Sequence, residues 1–474
     1  MRRAATVPPM KLLFIHQNFP GQYLRLVRFL KEQDGYDIYG LGYAGNIHKR
    51  GTLSGITTIG YSTPGAPGER THHYLKSTEA AVRRGQTVAR SLLNLKNKGV
   101  TPDVICVHPG WGEALFIRDV YPETPILLYC EYYFRAGQAD MAFDPEFPHT
   151  TDRAFGTRIR NVPQTLALIE ATACISPTEW QASRYPAMVQ GDIRVIHEGL
   201  DTDFMCPDPE EQVWVQPMRT RGESRIVGME RGPHGVADNS SKKSRAAGAH
   251  SRLTAARATA EKTTDKPKRT PSAPVMNFSR KDKIITYASR NLEPHRGFHI
   301  FMRSLPEIQK LHPDAQTLIV GNDGISYSDR LPDGQSYKSK YLQEMKGALD
   351  LSRVHFFGNV PYPVLRALFR ISSVHVYLTY PFVLSWSMLE AMSCEALLVA
   401  SATEPVQEVV TDGENGLLVD FFDQKALVAR VDAALREPEQ FTRLRQNARR
   451  TIMERFSLPD CLQRQVALLE ELAR

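Results

Sequence analysis

The feature that most constrains this chain is an alternation along its 474 residues: short aliphatic and β-branched runs, most of them followed by a stretch with amphipathic helical spacing. Parallel strands need a crossover between them, so this pattern folds into layered α/β domains with helices on both faces of each sheet. In the first half the expected strands are Lys11–His16, Val104–Val107, Ile126–Tyr129, Ala173–Ile175 and Arg194–Ile196, and the helix after the first presents Leu24, Val27, Phe29 and Leu30. In the second half they are Ile284–Ala288, Thr317–Val320, Val354–Phe357, Val374–Leu378, Leu397–Ala400 and Gly416–Val419. A chain this long, 42% hydrophobic, is too large for one ordinary core and large enough for two.

The halves are separated by a stretch, Arg219 to Pro274, rich in Ser, Ala, Thr, Lys, Arg, Gly and Pro, which reads as a disordered insertion without a packed core. Between Arg219 and Arg269 stand 13 Lys or Arg against 5 Asp or Glu, so the net charge of +7 lies there and the rest is close to neutral. Charge confined in this way marks a solvated basic segment and not a nucleic-acid surface. The pattern divides the chain into a Rossmann-like domain over 10–207, a low-complexity basic linker over 208–278, a second Rossmann-like domain over 279–455, and a C-terminal helix over 456–474 packing back toward the first. The fold class is thus two doubly wound α/β domains facing across a cleft, with a disordered basic insertion between them. Ligands of such sheets bind beyond the carboxyl ends of the strands.

The six cysteines are scattered without a C-x-x-C pair, as in a reducing compartment, and neither a spanning apolar run nor a secretory pattern is evident. A cytoplasmic location is expected. No carboxylate pair is placed for a metal at the strand ends, so no metal site is expected.

Two strand ends carry candidate chemistry. After Ile284–Ala288, Arg290 and Arg296 stand six residues apart, one leaving the strand and one beside a helix start, where two guanidinium groups can converge on a diphosphate; a solvated loop with surface arginines is the alternative. After VHVYL, a loop leads through Leu384, Ser385, Trp386 and Ser387 toward Glu390, expected in the first turn of a helix. A carboxylate there can accept from ribose hydroxyls while the loop N–H groups face phosphate, or it can simply cap the helix. In the first half, His108 follows a strand end beside Pro109 and Gly110, and Glu131 follows the next; either can exchange a proton with a sugar hydroxyl, the alternative for His108 being a loop cap.

The ordered motifs ArgxxxxxArg-Gly, VHFFGNVPYPVL, LTYPFVLSWSMLEAM and EPVQEVVTDGENGLLV, from about Ile284 to about Leu435, resemble the C-terminal domain of glycosyltransferase family 4; IHQNFPGQY, VHPGWGE and VIHEGLDTD resemble its N-terminal half more loosely. The resemblance implies the GT-B architecture, with an acceptor-side first domain and a donor-binding second one. It implies that Arg290 and Arg296 hold the donor diphosphate, Glu390 the ribose, and Gly358, Asn359 and Val360 the base. Gly21 would let backbone approach the phosphates from across the cleft, and His108 would stand near the transferred sugar. One departure is plain. The family places a second glutamate eight residues before Glu390, and Phe382 stands there, with Val383 and Ser385 where glycines are usual.

Residues and resemblance together imply an enzyme moving a sugar from a nucleoside-diphosphate sugar to a hydroxyl, without a metal and with no cofactor beyond the nucleotide sugar as co-substrate; retention at the anomeric carbon is what the resemblance alone implies. A nucleotide-sugar epimerase and a catalytically inactive sugar-nucleotide-binding protein are the alternatives. The partners expected are a nucleotide sugar and a glycan, lipid or small-molecule acceptor; peripheral membrane contact and oligomeric state stay open.

Overall fold

The computed structural model describes residues 8–135, 139–218, 222–231 and 274–474. Seven strands make the first sheet: β1 (Met10–Ile15), β2 (Tyr36–Tyr43), β3 (Thr57–Tyr61), β4 (Val104–Val107), β5 (Ile126–Tyr129), β6 (Ala173–Ser176) and β7 (Ile193–Val195). All pair in parallel, in the order β3-β2-β1-β4-β5-β6-β7. Strands β2 and β3 extend the sheet past those expected from sequence. Gly40 and Gly42 interrupt the apolar pattern of β2, yet a Cβ on either would stand within 2.8 Å of the Phe19 side chain, which packs on that strand. The first helix, Leu24–Leu30, buries Leu26, Val27 and Leu30 and turns Phe29 outward.

The chain next forms a small antiparallel sheet, β10-β8-β9, from β8 (Gln212–Pro217), β9 (Ser224–Glu230) and β10 (Met276–Ser279). The linker expected over 208–278 is therefore structured at both ends. The charge of the whole stretch masked the short alternation Gln212-Val213-Trp214-Val215, whose two valines are fully buried, each worth about 1.5–3 kcal/mol over exposure. Most of the predicted disordered basic insertion, residues 219–221 and 232–273, lies outside the described residues.

The second sheet is parallel with the order β13-β12-β11-β14-β15-β16, from β11 (Ile284–Asn291), β12 (Gln316–Asn322), β13 (Val354–Phe356), β14 (Val374–Tyr377), β15 (Leu397–Ser401) and β16 (Leu417–Val419). Its order switches direction between β11 and β14, which places a crevice at their carboxyl ends. The final helix, Leu458–Leu472, packs Leu462, Leu468 and Leu469 against Leu12, Phe14 and Val27 of the first domain. Among the described residues no helix is long and apolar enough to cross a membrane.

Candidate active site

Strand β11 runs on to Asn291, so Arg290 belongs to the end of the strand; it is exposed and makes no hydrogen bond or ion pair among the described residues. The chain then turns through the short helix Pro294–Arg296 and a left-handed Gly297, where a Cβ would meet Leu378 Cβ at 2.2 Å. Only glycine fits there, and it sets Arg296 against the strand-end loop of β14. Glu293, fully buried, accepts the backbone N–H groups of Ser326, Tyr327 and Ser328 at 2.9–3.2 Å. It ties the loop after β12 to the arginine loop, a role that no motif announces.

Arg296 Nη1 donates to Thr379 Oγ1 at 2.8 Å and lies 3.3 Å from the Tyr377 hydroxyl. That hydroxyl also accepts the N–H of Ser385 at 2.9 Å. Burial raises the Tyr377 phenol, so it stays neutral and couples the arginine to the start of the helix Trp386–Ser393. Ser385 caps that helix through the N–H of Ser387. Glu390 is the fifth residue of the helix, not in its first turn as expected, because the cap falls on Ser385. Its carboxylate is buried and accepts from the Tyr362 hydroxyl at 2.8 Å. Burial pushes the carboxyl up, opposed by that hydrogen bond and by the charge of Arg25 from the first domain.

Arg25, on the helix Leu24–Leu30, lies 4.9 Å from the Trp386 ring and donates to the Gly199 carbonyl. Gly358 has φ +65° and accepts the Gly321 N–H at 3.0 Å, Asn359 is exposed at the same rim, and Val360 packs on the core. Leu384 points into the core, so only its backbone can serve a ligand, while Trp386 is 37% exposed.

Across the cleft, His108 and Glu131 meet: Nε2 of the histidine stands 3.2 Å from Glu131 Oε2. Nδ1 accepts the Gly110 N–H, which leaves the proton on Nε2 for the carboxylate. Gln22 donates to the other carboxylate oxygen at 2.9 Å. Burial raises the Glu131 carboxyl, but the hydrogen bonds from His108 and Gln22 outweigh it, holding the group below its ordinary range. The His108 side chain is 5% exposed and that of Glu131 32%, so the carboxylate is the member of the pair open to the cleft. His108 is fixed by stacking on Trp111, 4.4 Å between centroids, and by His16 at 5.3 Å. Gly21, with φ +53°, lies over the His16 ring, where a Cβ would stand 2.5 Å from Cε1. Its N–H is given to the Asn18 carbonyl.

Phe382 is buried among aromatic rings from both domains: Tyr132 at 4.6 Å, His295 at 4.6 Å and Tyr327 at 4.7 Å, with Trp180 in the same cluster. The Trp180 indole donates to Glu404 at 2.7 Å. On another side, the segment 142–150 of the first domain lies on the second: Asp144 accepts from Tyr380 at 2.6 Å and stands 2.9 Å from His299 Nε2, while Glu146 pairs with Arg303 at 2.6 Å. Among the described residues no cluster of three or more His, Cys, Asp or Glu is arranged to hold a metal.

Two doubly wound sheets facing across a cleft, with nucleotide-suited groups on one rim and a His–Glu pair on the other, define the class: a glycosyltransferase of the GT-B fold. Residues 42–205 match the glycosyl transferase family 4 group and residues 271–451 match the glycosyl transferases group 1, and the chain belongs to these family 4-like glycosyltransferases. It is similar to spore coat protein SA of Bacillus subtilis, 26% identical over 37% of this chain and 45% of that protein. It is also similar to the phosphatidyl-myo-inositol mannosyltransferase of Mycobacterium leprae, 29% identical over 35% of this chain and 41% of that one. The chain thus matches less than half the length of these relatives. In fold it resembles sucrose-phosphate synthase from Thermosynechococcus elongatus, with a TM-score of 0.64 and 15% identity over 98% of this chain and 99% of that one. It resembles Anabaena HepE, crystallised with UDP and glucose, with a TM-score of 0.59 and 17% identity over 98% of this chain and 100% of that one.

Proposed function

We propose that this protein transfers a sugar from a nucleoside-diphosphate sugar to an acceptor hydroxyl, with retention at the anomeric carbon and without dependence on a metal ion. The observation that carries it is the Tyr377 hydroxyl, shared by Arg296 and the Ser385 N–H. It couples the arginine loop to the helix bearing Glu390, so that groups suited to a diphosphate and to a ribose diol belong to one rim.

As the glycosidic bond to the leaving diphosphate breaks, negative charge grows on its oxygens. Arg290, Arg296 and the N–H groups of Leu384 and Trp386, at the start of the helix, supply positive potential for it. Glu390 exchanges its hydrogen bond from Tyr362 for bonds from the ribose, while Gly358, Asn359 and Val360 border the base. The Glu131 carboxylate, oriented by His108 and Gln22, faces the place where the sugar and the acceptor hydroxyl meet. Retention rests on the family likeness, and the nucleotide sugar serves as co-substrate with no further cofactor. Phe382 replaces a carboxylate with an apolar wall, which favours a donor sugar contacted through its ring face and backbone groups. The acceptor is a glycan, lipid or small molecule, met on the cytoplasmic side, with the membrane surface as one place of encounter.

Purified protein titrated calorimetrically with UDP, GDP and ADP, then assayed for acceptor-dependent release of the nucleoside diphosphate, tests this. Tight binding of one diphosphate with acceptor-dependent release supports transfer; an exchange of epimers at the bound sugar without release, or binding with no turnover on any acceptor, overturns it.

A further inference from the structure

Between the two domains, beside the Phe382 cluster, lies a cavity of about 560 Å³ that the proposed reaction does not use. Its floor is the ends of β15 and β16, through Glu404, Asp420, Phe421 and Phe422, and its other wall is Phe143 and Arg184 of the first domain. The guanidinium of Arg184 is the telling group. Its Nε and Nη2 are buried against the protein and its carbon lies 5.4 Å from the Trp180 ring, while Nη1 is not buried and makes no hydrogen bond among the described residues. An accessible guanidinium nitrogen without a protein acceptor, on a residue that lines a cavity, can donate to a ligand oxygen there.

The other walls say what kind of oxygen. Glu404 gives one oxygen to the Trp180 indole, and Asp420 gives one to the Phe422 N–H at 2.8 Å, so each carboxylate keeps an acceptor for a ligand donor. Two carboxylates against one guanidinium disfavour an anion and favour a neutral ligand that both donates and accepts. Phe143 stands 5.1 Å from Phe421 and 5.1 Å from Phe422, making an aromatic corner suited to the apolar face of a ring. Hydroxyl groups around a ring with an apolar face describe a pyranose.

We propose that this cavity binds a neutral saccharide, as a subsite for a sugar unit of the acceptor lying beyond the reacting hydroxyl; the acceptor role rests on the transferase reading, the saccharide site does not. Arg184 donates to a ring or hydroxyl oxygen, Glu404 and Asp420 accept from hydroxyls, and the phenylalanines cover the ring. Because the walls come from both domains, the subsite exists only when the cleft has the spacing seen here.

Saturation-transfer NMR with glucose, galactose, mannose and N-acetylglucosamine, with glucuronate as an anionic counter-probe and calorimetric titration with inorganic phosphate as a second, tests it on the full chain. At least one neutral sugar should bind, with at least fivefold weaker binding in both Arg184→Ala and Asp420→Asn, while calorimetric titration with nucleoside diphosphate is unchanged in both. Asp420 is exposed, so D420N reads the site even if R184A misfolds. Binding of none of the four sugars, binding of the anions alone, or neutral-sugar binding indifferent to both substitutions would overturn the subsite. Neutral-sugar binding with no nucleoside-diphosphate binding would leave the subsite standing and remove the transferase reading instead.

Discussion

The Tyr362 hydroxyl donates to Glu390 at 2.8 Å, and the pair lies under the charge of Arg25 from the opposite domain. Tyr362 therefore holds, within the protein, the kind of bond that a ribose hydroxyl would make. Tyr362→Phe leaves a buried carboxylate without that donor, at a cost of about 1–3 kcal/mol. We expect its melting temperature to fall, and whichever of UDP, GDP or ADP binds the parent to raise it by more in the variant than in the parent. Equal ligand-induced shifts in thermal melting would count against Glu390 as the ribose ligand.

Arg290 and Arg296 differ in what else they do. Exposed and without a partner among the described residues, Arg290 can be replaced by alanine with little change in stability, whereas Arg296→Ala also removes a 2.8 Å bond to Thr379. Each change should weaken nucleoside-diphosphate binding by about 1.5–3 kcal/mol, the scale of a hydrogen bond to a charged group. Glu390→Gln should weaken binding of the bare nucleoside as well, and the arginine changes should not. Calorimetry with both ligands separates the three variants, and parent-like binding by all three would remove the main support for the nucleotide site.

Because His108 and Glu131 are joined at 3.2 Å on the wall facing the donor-side rim, His108→Ala should lower turnover strongly while donor affinity changes little. The histidine also holds the Glu131 carboxyl below its ordinary range, against the pull of burial. The carboxylate then persists to a lower pH than a free glutamate allows, and activity that needs it is lost only as pH falls through that depressed value. In His108→Ala the acid limb of the rate profile should move to higher pH. A limb that does not move would show that Glu131 is not the titrating group.

Stability should carry a pH signature from the first domain's inner edge. Burial pushes Glu198 up to about 7, with Arg25 and the Trp386 indole opposing. Neighbouring His197 is depressed to about 3 by burial and then by Arg25. Between the ordinary glutamate value and about 7 the folded chain keeps a proton on Glu198 that the unfolded chain has released, so stability from this group falls as pH rises. The histidine works in the opposite sense, its contribution being lost as pH falls below the ordinary imidazole range. Glu198→Gln isolates the first effect: relative to the parent, the variant should gain roughly 1–3 kcal/mol between acid and pH 8. Urea unfolding at a series of pH values measures it, and a flat difference would refute the assignment.

Much of the architecture was legible because parallel strands impose a period that charge and loops cannot hide. The place of Arg290, Arg296 and Glu390 at or beyond the carboxyl ends of strands of one sheet was legible for the same reason. Other parts were not. Glu293 looks like any loop glutamate until three N–H groups of a distant loop are seen to converge on it. Arg25 meets the site only through domain packing, and Tyr362 reaches Glu390 from a separate helix of the same domain. The Arg184 cavity has no motif at all, because its walls are assembled from separate loops of two domains. The turn of the helix on which Glu390 sits depended on which serine caps it, a detail below the reach of periodicity.

The two stretches of chain that pass between the domains are joined to each other: Leu200 donates its N–H to the Phe456 carbonyl at 2.7 Å and accepts from the Leu458 N–H at 2.9 Å. Two crossings fastened at one point act as a single hinge. They leave rotation about that line as the easy motion and resist sliding of one domain along the other. With such a hinge, a ligand grasped on both walls of the cleft would bias the spacing along the rest of it.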